Sequence, residues 1–360
     1  MKSETTTTAG PPAPDSIAGR AVLRRGLSRH TGSRVGRISI WGCWLLAVIC
    51  VGWTATVSGF QMTVLGTAMV FAAASIGVGL QLKTLKLLSL AQGAMLGIGA
   101  YGQLILTGLY HWDFLSALVV SVLIAAVVGI VLGMASVRVR THYYILLTAA
   151  VQAIGAACMS GLVSLTGGAQ GASTPGTVSL LGLHLDSIKQ LSILAAVVAV
   201  VAALLADVIY RTALGRRMIA AGSSPILARA SGASPVAANI WGNVLMAVFG
   251  AVAGAVYAPL VGYLGPAEFS LGMSITCVLV GVVSTRVSFS LAIVAAVLLQ
   301  ELTQQLSDVG SVSGVIYGGI IVLVGTGLAL GAGRSFGWSS GLFGSANPGA
   351  GALDSAVVSK

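Results

Sequence analysis

Seven polar side chains interrupt otherwise apolar runs: Gln92, Gln103, Thr148, Gln152, Asn239, Asn243 and Glu301. The amides and hydroxyls among them can hold a polar solute or a freed backbone group by hydrogen bonding. The four histidines, His30, His111, His142 and His184, are scattered. Cys43, Cys50, Cys158 and Cys277 show neither CxxC nor metal-ligand spacing and read as small buried hydrophobes. The stretch "GAGRSFG" around Arg334 lacks the lysine of a phosphate loop, so no nucleotide site is expected. The chemistry open to this chain is non-covalent binding, with no metal and no cofactor of its own.

The segments that carry these groups are apolar enough to lie in lipid. Of 360 residues, 56% are hydrophobic and 8% charged, and the mean hydropathy is +0.96. A soluble domain carries about 25% charged residues. An all-α integral membrane protein follows, because each span of lipid core needs roughly 20 apolar helical residues. About ten transmembrane helices are predicted, over roughly 39–57, 63–80, 88–109, 114–136, 144–164, 189–209, 237–261, 268–283, 288–306 and 312–332. The third contains Gly93, Gly97 and Gly99 and reads as a broken or re-entrant segment, which requires burial in protein.

Charge fixes the expected orientation. With a cytoplasmic N-terminus and this span map, every Lys and Arg except Lys189 falls on the inside, while Asp113, Asp186, Glu268 and Asp308 fall outside. Cytoplasmic retention of positive loops explains this segregation. It also accounts for the net charge of +10 without a nucleic-acid surface. Both termini are expected in the cytoplasm. Residues 1–38 read as a disordered basic arm, 39–333 as the membrane domain with a long inside loop at 210–236, and 334–360 as a flexible tail.

Within the spans, glycine and alanine read as packing residues, as in "GAVAG" at 250–254, because small side chains let helix backbones approach. Glu301, the only acidic residue well inside a predicted span, lies beside Gln300, Gln304 and Gln305 near a helix end and can reach the headgroups. No mid-membrane pair of charged residues is predicted. That counts against an ion-driven secondary transporter or channel, which would need such a relay.

The inside loop contains a polar island, "SSPILARASGASP", from Ser223 to Pro235. Ser224 and Pro225 have the chemistry of a helix start, Ile226, Leu227 and Arg229 can form a short helix, and Gly232 can terminate it in the left-handed conformation. Ser234 and Pro235 then begin the next span in the same way. Two readings of the short helix remain open from the residues alone: docking to a partner groove, or lying on the headgroups.

Four stretches resemble a known family. "SLAQGAMLGIGAY" (89–101), "RVRTHYYILLTAA" (138–150), "LTGGAQG" (165–171) and "ALGRRMIAAGSSPILARASG" (213–232) are similar, in order and spacing, to segments of the permease subunits of branched-chain amino-acid ABC importers, closer to the LivM than the LivH type. The chain departs from that pattern at Gln92, where histidine is usual, and at Gly222, Ser223 and Ser224, where the coupling segment carries acidic residues. The glycine-rich turn expected after the eighth span is replaced by "VGVVSTRVS".

The resemblance implies an inverted-repeat permease fold in a bacterial cytoplasmic membrane. Its partners would be a second, LivH-like permease, two ATPase subunits that bind the ATP, and an extracytoplasmic solute-binding protein. It implies an ATPase-coupling surface at Gly215, Arg216, Ser224, Pro225, Ile226, Leu227, Arg229 and Gly232. Gln92, Tyr101, Thr148 and Gln152 are the candidate pathway residues. A branched-chain or other small amino acid is the implied solute, with urea or a short amide as the related alternative. A non-transporting membrane scaffold is the remaining rival.

Overall fold

The computed structural model describes residues 59–307, except 140, 175–177, 181–182, 186, 231 and 286–287, together with Trp41, Trp44, Leu45, Val48, Ile49 and Gly52. The expected tail regions, the tenth span and most of the first lie outside the described residues. The helices are α1 (Phe60–Leu85), α2 (Gln92–Gln103), α3 (Phe114–Arg138), α4 (Thr141–Gly161), α5 (Ile188–Arg211), α6 (Ala213–Ser223), α7 (Pro225–Ala230), α8 (Pro235–Val261), α9 (Leu271–Ser284) and α10 (Leu291–Ser307). Among them α1, α3, α4, α5 and α8 are long and apolar enough to cross a membrane, and α9 and α10 are shorter apolar helices.

Two helices form the centre. In their most apolar stretches, 83% of α1 and 72% of α8 is buried, against 28% of α3 and 22% of α4. The outer faces of α3 and α4 expose Val119, Leu123, Val127, Leu146 and Ile154, as lipid-facing or partner-facing helices do. The packing is reciprocal: α8 packs chiefly on α3, α1 and α2, and α1 packs on α8, α5, α9 and α10. Each central helix therefore meets the helices that follow the other one in sequence.

Small residues permit the closest of these crossings. A Cβ on Gly99 of α2 would collide with the backbone carbonyl of Ala251 on α8, and one on Gly254 would collide with the carbonyl of Leu96. "GAVAG" thus packs on α2, as its spacing suggests. Along α5, Ala195, Ala199, Ala202 and Ala206 are all buried, giving α1 a smooth face to rest on.

The predicted third span is not one continuous α-helix. Residues 86–91 are non-helical, α2 starts at Gln92, and residues Leu104–Leu109 continue it as a π-helix. The eighth span is also shorter than its predicted 268–283, because Pro266–Phe269 forms a separate 3-10 turn that carries Glu268. On that side of the molecule two short strand pairs close the loops. β1 (Ala172–Ser173) pairs with β4 (Tyr263–Leu264), and β2 (Val178–Leu180) with β3 (Leu183–Leu185). Thr174 docks this loop onto the end of α8 by donating from its hydroxyl to the carbonyl of Ala258 at 2.8 Å.

Candidate functional site

The break before α2 exposes backbone N–H groups inside the bundle, where lipid offers no partner. Side chains from two other helices take them up. Gln152 of α4 accepts from the N–H of Ala94 at 2.5 Å, and Ser274 of α9 accepts from that of Gly93 at 2.8 Å. The Ser274 hydroxyl in turn donates to the Gln152 side-chain oxygen at 3.0 Å, while the Gln152 amide donates to the carbonyl of Phe269 at 2.6 Å. Thr148, one turn earlier on α4, accepts from the N–H of Leu90 at 3.0 Å.

Gln92 donates to the carbonyl of Ala74 on α1 at 2.7 Å, and its own side-chain oxygen is buried without a hydrogen-bond partner. Three of the four predicted pathway residues, Gln92, Thr148 and Gln152, thus converge on the start of α2. Tyr101 lies further along that helix. Its ring sits 5.6 Å from that of Phe269, and its hydroxyl reaches the carbonyl of Leu264 at 3.4 Å. All four are buried, and each hydrogen-bonds to backbone of another element or of the break itself.

A second polar knot ties three helices together. Gln81 of α1 donates to the hydroxyl of Tyr144 on α4 at 3.0 Å and to the side-chain oxygen of Asn243 on α8 at 3.1 Å; Tyr144 donates to the same Asn243 oxygen. Sequence reasoning singled out Asn243 but not Gln81, Tyr144 or Ser274. A serine, a tyrosine or a helix-terminal glutamine in a span carries no signal of its own until its partner is known.

Beside this knot the predicted coupling segment folds as two helices instead of one. The amphipathic α6 buries Gly215, Met218 and Ala221 on one face, and its 3.6-residue spacing is legible in hindsight. A Cβ on Gly215 would collide with the carbonyls of Ile209 and Tyr210, so glycine is required for the tight passage from α5 to α6. Arg216 is exposed and donates to the carbonyl of Arg211 at 2.8 Å, answering one of the free carbonyls at the end of α5.

Ser224 separates α6 from α7, and its carbonyl accepts the N–H of Ala228 at 3.0 Å. Gly232 has φ +76°. The N–H of Ala233 returns to the carbonyl of Ala228 at 2.9 Å, and that of Gly232 to Arg229 at 3.0 Å. This pair of bonds is a Schellman stop, as the glycine's position suggested. Ser234 caps α8 through the N–H of Ala237, with Pro235 in the first turn. Ile226 is 78% exposed, and Arg229 is exposed. The side chains of Pro225 and Leu227 lie outside the described residues.

The α6–α7 unit is mechanically continuous with the bundle. Met218, Ala221, Ala228 and Ala233 share one apolar cluster with Leu85 at the end of α1, Tyr144 of α4 and Ala238 of α8. A displacement of α7 therefore meets three long helices within one packed contact. Nearby, Lys83 of α1 lies 4.8 Å from the ring centres of both Tyr210 and Phe289 and is attracted by Asp207 of α5. This pair sits near the helix ends and was not predicted, since Lys83 and Asp207 belong to different spans.

At the opposite end, where the strand pairs lie, a cleft of about 290 Å3 opens between α1, α8, α9, α10 and the turn carrying Glu268. The predicted pathway residues do not line it. Among the described residues no cluster of histidine, cysteine, aspartate or glutamate is arranged to hold a metal ion.

Residues 60–325 match the family described as branched-chain amino acid transport system / permease component. Two curated relatives, the high-affinity branched-chain amino acid transport system permease proteins LivM of Salmonella typhimurium and of Escherichia coli, are each 25% identical over 302 residues, covering 78% of this chain and 71% of the relative. No solved structure matches significantly.

Proposed function

Because this chain belongs to the family of permease components of branched-chain amino acid transport systems, we propose that it forms half of the translocation path of an ATP-driven importer for a branched-chain or related amino acid. The family match over residues 60–325 carries this reading, and the exposed α6–α7 unit supports it. In this proposal α7 docks in a groove of an ATPase subunit, a second permease completes the path, and a solute-binding protein delivers solute on the far side. ATP is bound and hydrolysed by the ATPases, and this chain carries out no covalent chemistry. The setting is the cytoplasmic membrane of a bacterium, with the α6–α7 end facing the cytoplasm, as positive charge in this loop favours.

Closing of the ATPases would push α7 and α6 against Leu85, Tyr144 and Ala238. The bonded knot of Gln81, Tyr144 and Asn243 would pass that motion to α1, α4 and α8 as a unit. The reciprocal packing of α1 and α8 supports an inverted repeat, in which two such halves rock against each other. Gln92, Tyr101, Thr148 and Gln152 are assigned beside the path, as supports of the broken helix α2.

The test is reconstitution of the chain in liposomes with and without its partner permease, ATPases and binding protein. ATP-dependent leucine uptake is expected only from the full set. Uptake by this chain alone, driven by an ion gradient, would overturn the reading. So would a full set that moves urea and not leucine.

A further inference from the structure

We propose that the corner where α5 passes into α6 binds an anionic phospholipid, with its phosphate on Arg211 and Arg217 and an acyl chain along the exposed face of α5. The inference goes beyond the import reading and requires only that the chain lies in a bilayer. Its starting point is a helix with two unlike faces. Ala195, Ala199, Ala202 and Ala206 of α5 are buried, while Val201, Leu204, Leu205 and Val208 are exposed. Val201, Leu204, Val208 and Arg211 follow one another at intervals of three, four and three, so an exposed arginine ends an apolar stripe on one side of the helix. From Val201 to Arg211 the stripe rises roughly 15 Å, the depth of one leaflet of a core about 30 Å thick.

The polar end of that stripe carries excess positive charge. Residues 207–217 hold Arg211, Arg216 and Arg217 against Asp207 alone. The three arginines are exposed, whereas Asp207 is half-buried and faces Lys83 of α1 as well. Among the described residues no carboxylate is ion-paired with any of the three.

The start of α6 adds to this charge. Arg216 stands in its first turn, which holds no acidic residue, and the helix dipole there is itself positive. The Arg216 guanidinium donates to the carbonyl of Arg211 at 2.8 Å, which draws the start of α6 onto the end of α5. An anion at this corner offsets both the side chains and the dipole, and arginine can hold a phosphate through two parallel N–H···O bonds. The apolar stripe running directly from Arg211 selects a phosphate that carries an acyl chain over an acidic protein surface.

The experiment places the full chain in nanodiscs of phosphatidylglycerol and phosphatidylcholine with matched acyl chains, extracts it in detergent, and counts retained lipids by native mass spectrometry. Phosphatidylglycerol is expected to be preferred by about tenfold or more, since each arginine near anionic lipid contributes about a fivefold preference. Arg211→Gln with Arg217→Gln is expected to reduce the preference by about tenfold or more. Arg138→Gln, at the exposed end of α3, is expected to leave it within about twofold. Arg211→Lys with Arg217→Lys keeps both charges and should retain more of it than the glutamine pair. No preference in the wild type, full retention by the glutamine pair, a lysine pair as poor as the glutamine pair, or an equal loss in Arg138→Gln would each overturn the site. The wild-type comparison needs no variant. It is repeated with ATPase subunits bound: lipid that stays supports the site, and lipid displaced by the ATPases would assign the arginines to an acidic protein surface and overturn it.

Discussion

The hydroxyl of Ser274 and the side-chain oxygen of Gln152 are hydrogen-bonded at 3.0 Å, and between them they receive the N–H groups of Gly93 and Ala94. One side chain comes from α9 and the other from α4, and together they close the open start of α2. The broken helix therefore depends on both neighbours. Gln152→Ala is expected to leave a buried N–H and a buried carbonyl unpaired. Single membrane hydrogen bonds average about 0.6 kcal/mol, but orphaned buried groups cost about 1–3 kcal/mol. Thermal unfolding in nanodiscs should show a larger drop for Gln152→Ala than for the exposed control Ser116→Ala. Equal midpoints would mean that the break is held elsewhere.

The crossing of α2 and α8 tolerates no side chain at its closest point. Gly254→Ala places a methyl against the Leu96 carbonyl, and overpacking of this kind costs about 1–3 kcal/mol. Gly272→Ala meets only the Ser270 hydroxyl, at 3.6 Å, and should stay within about 0.5 kcal/mol of the wild type. Unfolding midpoints of the two variants check this, and a Gly254→Ala protein as stable as Gly272→Ala would contradict the close crossing.

The stop after α7 is a backbone requirement, whereas Arg229 is a surface feature. Gly232→Ala puts a Cβ at φ +76°, a strain of about 1–2 kcal/mol, and should loosen α7. Arg229→Glu reverses an exposed charge and should leave folding intact. Both are expected to reduce ATPase co-purification, Arg229→Glu without a change in unfolding midpoint. ATPase capture undiminished by Arg229→Glu would move the docking surface away from this helix face.

Lys83 lies 4.8 Å from the ring centres of both Tyr210 and Phe289 near the α6–α7 end. A cation over an aromatic face contributes about 0.5–2 kcal/mol. Lys83→Met should lower the unfolding midpoint, and Lys83→Arg, which keeps the cation, should lower it less. Equal losses from the two variants would show that the charge over the rings contributes nothing.

Burial raises the pKa of Glu268 above the ordinary carboxylate value, against smaller opposing effects of its bonds with Tyr257 and Gly265. A carboxyl whose folded-state pKa is raised favours the fold in its protonated form. That contribution is complete below the unfolded-state pKa and is lost as pH rises through the folded-state value. Glu268→Gln removes the titration. Its unfolding midpoint should equal that of the wild type in acid and exceed it increasingly as pH rises through that window. A constant difference at all pH values would show that Glu268 is not desolvated.

The sequence by itself determined what depends on local composition and short-range chemistry. Apolar run lengths located the five long helices α1, α3, α4, α5 and α8, and "SSPILARASGASP" encoded both the Gly232 stop and the Ser234 cap, whose bonds close within a few residues. The four stretches that carried the family resemblance, including "LTGGAQG" and the 213–232 segment, were likewise readable directly. Only the tertiary structure decided which polar groups meet. Ser274 finds Gln152 across 122 residues of sequence, and Gln81 finds Asn243 across 162. Nothing in the local pattern of an isolated serine or glutamine reveals such a partner. The interruption before α2 follows the same logic: in lipid, a freed N–H is admissible only where another helix brings the matching group, and that is a property of packing.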